Sequence, residues 1–541
     1  MTIQWPLQDP KTGKPQTTPT NQSIWKAAIE PARKEYPEAV AEWCDQLANC
    51  RNWRSDYINL IHDFVDIQSQ CTPETIHAMC QAGLDMAQKV FQMAGNEDEA
   101  PAAASESVAQ AFQNALAQTN SSLNDIPTST HTGGSSKSSN DPSEPYLFPL
   151  ASPHGTDTNP LWVTGDQAVA QCRAWETYGC MEPSATTDAQ TIFEASNAAD
   201  FVDDKVFCLL GVTSEMGPTK HLLKIPGAHV LGIARAGHKT RDLLAWFAEE
   251  GHPTATLTLM EHGADMLKDG PTIAQWLIQQ LTQQARKHVV LMPLAYMDGE
   301  ANVRVTVVMD AIVTHVLQAV ESQDMIGHLA YLTSPTTCYT IPPEAAQNAQ
   351  YRYEHERGLL PDIIHFLSLG NILAPSNEWD QLAGSDNAAT TSVLHNGLVP
   401  LQGPNYALAK TMQQWRCMLY HSQGKGRVSA PMAPGSRTQS VVHSPEASAA
   451  LEGVQYLPPM ISFDSVPCSS LMTAIVLAQL STDKDKSTSP FQLFWKGAVH
   501  GGGWRCPYNL QTCYAMAYIL GRTIAKQGWC PEGALAKLEQ A

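Results

Sequence analysis

Tyr406 and Lys410 stand four residues apart in Pro404-Asn-Tyr-Ala-Leu-Ala-Lys410, and a helix puts residues at i and i+4 on one face. A phenol beside an ammonium gives up its proton more readily, because the positive charge favours the phenolate. Such a tyrosine can hand a proton to a carbonyl oxygen that is gaining negative charge. Upstream, Gly211-Val-Thr-Ser-Glu-Met-Gly217 follows an apolar run and opens a helical stretch. Glycine there lets backbone approach a pyrophosphate, and a helix N-terminus offers unpaired N–H groups and the positive end of its dipole. The next apolar run ends in Gly-Ile-Ala-Arg235, with His238, Lys239 and Arg241 close behind. This is where a dinucleotide fold meets the ribose of the adenosine half. An acidic residue would bind a free 2′-hydroxyl there, whereas an arginine pairs with a 2′-phosphate, so NADP(H) is favoured over NAD(H). Taken singly, the glycines also suit an ordinary turn, and the basic residues a solvated loop.

These residues need elements to hold them. Apolar runs alternate with helical stretches from Lys205 onward, which predicts strands at 206–210, 229–234, 255–260, 288–294 and 328–332 and helices at 218–224 and 303–320. The pattern is that of βαβ units around a parallel sheet, an α/β fold. Residues 22–94 read as helices: Thr72 suits an N-cap, Pro73 the first helical position, and Ile76, Met79, Cys80, Ala87, Val90 and Phe91 recur at helical spacing. From 96 to 145 the composition turns to Ala and then to Ser, Thr, Asn, Gly and Pro, which buries too little apolar surface to offset its ordering entropy. The expected organisation is a separate N-terminal helical region at 1–95, a flexible linker at 96–145, a lead-in at 146–204 and the main domain at 205–541.

The chain has 541 residues, 43% of them apolar and 16% charged, and a net charge of -19. That balance suits a large buried core. It argues against a nucleic-acid partner, since no basic stripe is gathered anywhere. The 13 cysteines are scattered, with no C-x-x-C pair, so no metal site or disulfide framework is expected. No signal-like segment or membrane-length apolar run stands out, and the expectation is a soluble, cytoplasmic protein.

In order, these pieces resemble the short-chain dehydrogenase/reductase superfamily over roughly 205–504. Gly211 and Gly217 look like the outer glycines of its cofactor turn, with Thr213 and Ser214 between them, and Asp265 in Gly263-Ala-Asp-Met-Leu resembles the aspartate that meets the adenine. Ser334, in Leu-Thr-Ser-Pro-Thr after the fifth strand, stands where the family keeps its substrate-polarising serine. Tyr406 and Lys410 match Tyr-x-x-x-Lys, and Met432-Ala-Pro434-Gly435-Ser-Arg-Thr438 matches the Pro-Gly segment that covers the nicotinamide. The resemblance implies a Rossmann-like doubly wound sheet with helices on both faces. It makes Ser334, Tyr406 and Lys410 the catalytic set. It also places Gly211, Thr213, Ser214, Gly217 and Arg235 on the cofactor, together with Asp265, Lys410, Pro434, Gly435 and Thr438. Hydride transfer between nicotinamide and a small-molecule carbonyl or alcohol is the implied activity, with homo-oligomers common in the family. The alternatives are a non-catalytic nucleotide-binding regulator or scaffold, and an epimerase or dehydratase of the same superfamily.

The chain departs from the family pattern at several places. Glu215 replaces the middle glycine of the turn, and Pro293-Leu-Ala-Tyr-Met-Asp-Gly299 replaces an Asn-rich motif after the fourth strand. The family's proton-relay asparagine has no clear counterpart, although Asp310 falls near its place. Ser334 and Tyr406 are much further apart than is usual, which implies an insertion at about 338–404, with a helix near 362–369, over the active-site mouth as a lid or as a packing element. Ser392 rivals Ser334 by its spacing to Tyr406. Lys496-Gly-Ala-Val-His-Gly-Gly-Gly-Trp504, after a predicted strand at 491–495, resembles the family's last strand and closing turn; its His500 reads as structural.

Overall fold

Strands buried on both faces read as nearly continuous apolar runs, because each face must be covered by helices. The structure, a computed structural model, describes residues 2–94, 106–117, 126–134, 144–150, 161–382, 392–482 and 489–523. Its centre is a seven-stranded sheet: β1 (Thr128–Thr132), β2 (Lys205–Leu210), β3 (His229–Ile233), β4 (Thr256–Met260), β5 (His288–Pro293), β6 (Ile326–Ala330) and β7 (Val428–Ser429). Their order across the sheet is β7-β6-β5-β2-β3-β4-β1. All neighbours are parallel except β1, which runs antiparallel to β4. In β2, Val206, Cys208 and Leu210 join one buried cluster while Phe207 and Leu209 join another, the period-two alternation of a strand between two helical layers.

Helices lie on both faces of the sheet and around it; among the described residues they include α1 (Thr17–Ile29), α2 (Trp53–Gln70), α3 (Pro73–Val90), α4 (Met266–Thr282), α5 (Ala301–Ser322), α6 (Pro404–Gln423) and α7 (Ser465–Ser481). The first face of the sheet carries α4, α5 and α6, and the second carries α7 with helices Gly165–Tyr178 and Pro183–Phe193 from the lead-in. By length and composition alone α5 could cross a membrane, contrary to expectation from the sequence. Here it is a core helix, with Val303, Val308, Ala311 and Ile312 fully buried.

The N-terminal helices do not form a separate region. Trp25 of α1 meets Phe64 of α2 and Trp415 of α6, with ring centroids 4.8 and 5.4 Å apart. Gly83 of α3 makes room for the same indole: a Cβ there would lie 2.3 Å from Trp415. The face of α6 turned from the sheet is itself apolar, so α1 to α3 bury it and share its core.

Part of the expected linker is also ordered: helix Val108–Ala117 packs with α4 and α5, and β1 pairs along β4 from Thr128↔Met260 to Thr132↔Thr256. Its alternating Thr-Ser-Thr-His-Thr suits a solvent-facing edge strand, where β-branched residues fit without a buried face. Residues 95–105, 118–125 and 135–143 of that stretch lie outside the described residues.

Three smaller expectations also change. β6 begins two residues earlier, at Ile326, and the helix at 218–224 shrinks to one turn, Thr219–Leu222. The expected strand at 491–495 is a 3-10 turn, Pro490–Phe494, whose Pro490 suits a first helical position. The described residues of the insertion form an antiparallel pair, Cys338–Ile341 with Val393–Asn396, the helices Pro343–His355 and Leu359–Leu367, and a 3-10 turn, Glu378–Leu382.

Candidate functional site

Parallel strands end at the same edge of the sheet, so the segments after them gather there. Gly211 comes after β2, Arg235 after β3, Asp265 after β4, Ser334 after β6, and Pro434 and Gly435 after β7. The strand order reverses between β2 and β5, and a crevice opens at such a reversal.

The Gly211–Gly217 turn is held by its own backbone and leads into the single helical turn Thr219–Leu222. The Gly211 and Val212 amides both donate to the Ile233 carbonyl at 3.0 Å, tying the end of β2 to the end of β3. Gly211 has φ +107°, and a Cβ there would lie 2.7 Å from the Ala295 nitrogen, so only glycine fits between β2 and the segment after β5. Ser214 donates its amide to the Gly211 carbonyl and accepts from the Gly217 amide through its own carbonyl, closing the turn. Thr213 is half-buried in it. Glu215 points to a partner far along the chain: its Oε2 accepts from the Gln439 amide at 2.8 Å. Its carboxylate therefore bridges the glycine turn to the first residue after Thr438. Thr438 itself shares a hydroxyl contact with Ser440 at 3.1 Å.

Arg235 is two-thirds exposed, with its guanidinium 3.9 Å from Asp265. Asp265 caps α4, accepting from the Leu267 amide at 2.9 Å. The segment after β7 is fixed against the segment after β6: the Thr333 amide donates to the Pro431 carbonyl, and the Ala433 amide to the Thr333 carbonyl. Gly435 accepts from the Phe463 amide, and Pro434 accepts from the Ser436 hydroxyl.

Tyr406 lies in the first turn of α6, which starts at Pro404 after Gly403. Its hydroxyl donates to Ser334 Oγ at 2.9 Å. The structure thus brings Ser334 to the tyrosine, while Ser392 stands exposed at the end of the insertion. Lys410 Nζ lies 6.0 Å from the centre of the Tyr406 ring and donates to Gln413 Oε1 at 3.2 Å. Tyr296, after β5, meets Tyr406 edge-on at 6.4 Å.

Asp310 is engaged elsewhere. Its oxygens accept from Arg416 Nε at 2.6 Å and Nη2 at 2.9 Å, and from Gln88 Nε2 at 2.7 Å. Burial works against the charge on Arg416, but the Asp310 carboxylate outweighs it and holds the guanidinium pKa above its ordinary value. The triad ties α3, α5 and α6 together and takes Asp310 out of any proton relay. His500, stacked on Trp504, is likewise held, with its Nε2 3.0 Å from Glu182. A cavity of about 610 Å³ between α2 and the insertion, lined by Asn59, His62, Glu378 and Gln511 among others, contains none of the candidate residues.

Sequence reasoning missed Thr336, Gln413 and Gln439. Gln413 was within reach, since i to i+3 neighbours share a helix face. Gln439 gave no signal, because its partner lies 224 residues away. Comparison with protein-family models and with curated proteins gives no match.

Proposed function

We propose that the protein is an NADP(H)-dependent oxidoreductase of short-chain dehydrogenase/reductase type, built on a Rossmann-like doubly wound sheet, that interconverts a carbonyl and an alcohol. The observation that carries this reading is the 2.9 Å bond between Tyr406 and Ser334, residues 72 positions apart, at the edge of the sheet that also holds the glycine turn.

The residues fit a dinucleotide. The reading is supported by Gly211, whose bare backbone ends β2 at the sheet edge, and by the exposed Arg235 guanidinium, which could pair with a 2′-phosphate. Thr213, Ser214 and Gly217 would complete the phosphate turn, Asp265 would face the adenine, and Pro434, Gly435 and Thr438 would flank the nicotinamide. The cofactor supplies hydride when bound. Ser334 donates a hydrogen bond to the substrate oxygen and thereby steadies charge that builds up in the transition state. Tyr406 protonates the resulting alkoxide. Lys410, anchored by Gln413, would hold the ribose of the nicotinamide half.

The experiment is paired binding and turnover. NADPH should quench the fluorescence of the 13 tryptophans more strongly than NADH at equal concentration, and NADPH should be consumed with some member of a carbonyl panel. Tyr406→Phe should keep NADPH binding and lose at least about a hundredfold in turnover. Absence of binding by both cofactors, or full activity in Tyr406→Phe, would overturn the proposal.

A further inference from the structure

A tyrosine that gives away a proton must recover one before the next cycle. Asp310 is bound by Arg416 and Gln88, and the Lys410 ammonium is turned to Gln413, so neither forms a hydrogen bond with the phenol. The phenol's bond goes to Ser334, and Ser334 Oγ lies 2.9 Å from Thr336 Oγ1 and accepts from the Thr336 amide at 3.3 Å. Ser334 is buried, whereas Thr336 is half-buried and touches solvent. The loop is pinned in this shape by Thr337, whose hydroxyl donates to the Ser334 carbonyl at 3.1 Å and accepts from Gln414 of α6 at 3.2 Å.

We infer that Thr336 is the outer member of a hydroxyl chain, Tyr406–Ser334–Thr336, that carries protons from solvent to the acid; the inference rests on the proposed reductase reading. As Tyr406 protonates the alkoxide, its Oη–H bond breaks and the product O–H forms. The Ser334 hydroxyl then turns to the phenolate and yields its proton, Thr336 gives its own to Ser334, and water restores Thr336. One proton enters and one leaves, with no change in electrons. Thr336 acts through Ser334 and is a positioning and relay residue.

The test compares Thr336→Val with Thr336→Ser in the full chain, using NADPH and the probe dicarbonyl 9,10-phenanthrenequinone. Val keeps the shape and removes the hydroxyl. Its kcat should fall by about ten- to a hundredfold, the solvent deuterium isotope effect on kcat should rise, and imidazole should restore part of the rate as a diffusible acid. Ser should behave like the parent. A second readout needs no turnover: the Tyr406 C–O stretch in ring-labelled protein, identified as the band lost in Tyr406→Phe, should move in Thr336→Val and return in Thr336→Ser, since bonds in a chain polarise one another. An unchanged kcat, isotope effect and band in Thr336→Val would overturn the relay and leave the reductase reading standing. A parent that reduces no carbonyl while the band still moves would keep the hydroxyl chain and sink the reductase reading.

Discussion

Replacing Arg416 with methionine tests whether the N-terminal helices and the helix that carries Tyr406 form one folding unit. The substitution removes two charge-assisted bonds, at 2.6 and 2.9 Å, from a pair whose side chains are 9% and 5% exposed. Breaking such a pair from one side costs about 3–5 kcal/mol, because the remaining charge stays buried without its partner. Gln88 still donates to Asp310 at 2.7 Å, which puts the expected loss near the lower end, about 3 kcal/mol. Chemical denaturation followed by tryptophan fluorescence and by helical circular dichroism should show both signals shifting together to lower denaturant, because α3, α5 and α6 share the triad. In the double variant Asp310→Leu/Arg416→Met, no buried charge remains, Gln88 can turn to water, and stability should return to within about 1–2 kcal/mol of the parent. A loss below about 1 kcal/mol in Arg416→Met, or a double variant as weak as the single one, would refute the reasoning.

Acid should weaken the fold through buried histidines. Burial pushes His221 and His328 down to about 3, and nearby cations act in the same direction. The unfolded chain takes up protons at both as pH falls through about 6.5, while the folded chain does not, so their contribution is complete above that pH and is lost progressively toward pH 3. Up to about 1.4 kcal/mol per pH unit is expected from each. Denaturation midpoints measured from pH 7 to 5 should fall, and a flat or rising profile would contradict this. Glu215→Ala removes the link to the Gln439 amide, so NADPH should leave about fivefold faster in stopped-flow displacement, the equivalent of about 1 kcal/mol for one exposed charge-assisted bond. Slower or unchanged release would mean that the bridge does not hold the turn over the cofactor.

β2 to β6 were legible because both of their faces are buried, so Val206 to Leu210 and Val289 to Met292 read as unbroken apolar runs, whereas the two residues of β7 are too few to make a pattern. β1 was not legible, since an edge strand of threonines facing water has the composition of a linker. The helical pattern of α3 was plain, but amphipathicity does not say what lies opposite. Only the fold shows that Gly83 faces Trp415. At the site, residue spacing could propose Tyr406 and Lys410 as a pair. It could not show that the lysine turns to Gln413 while the tyrosine turns to Ser334 across the insertion. Glu215 stood out in the sequence only as the replacement of a turn glycine, and its contact with Gln439 is one that no local pattern encodes.

The most direct measurement tracks the hydride itself. The full chain, supplied with NADPH deuterated at the transferable position of its nicotinamide and with a carbonyl substrate from the panel, should yield an alcohol with one deuterium on the carbinol carbon by mass spectrometry. Tyr406→Phe should bind the same NADPH and form almost none of that product. Alcohol without deuterium, or NADPH bound and never oxidised with any carbonyl tested, would contradict the account.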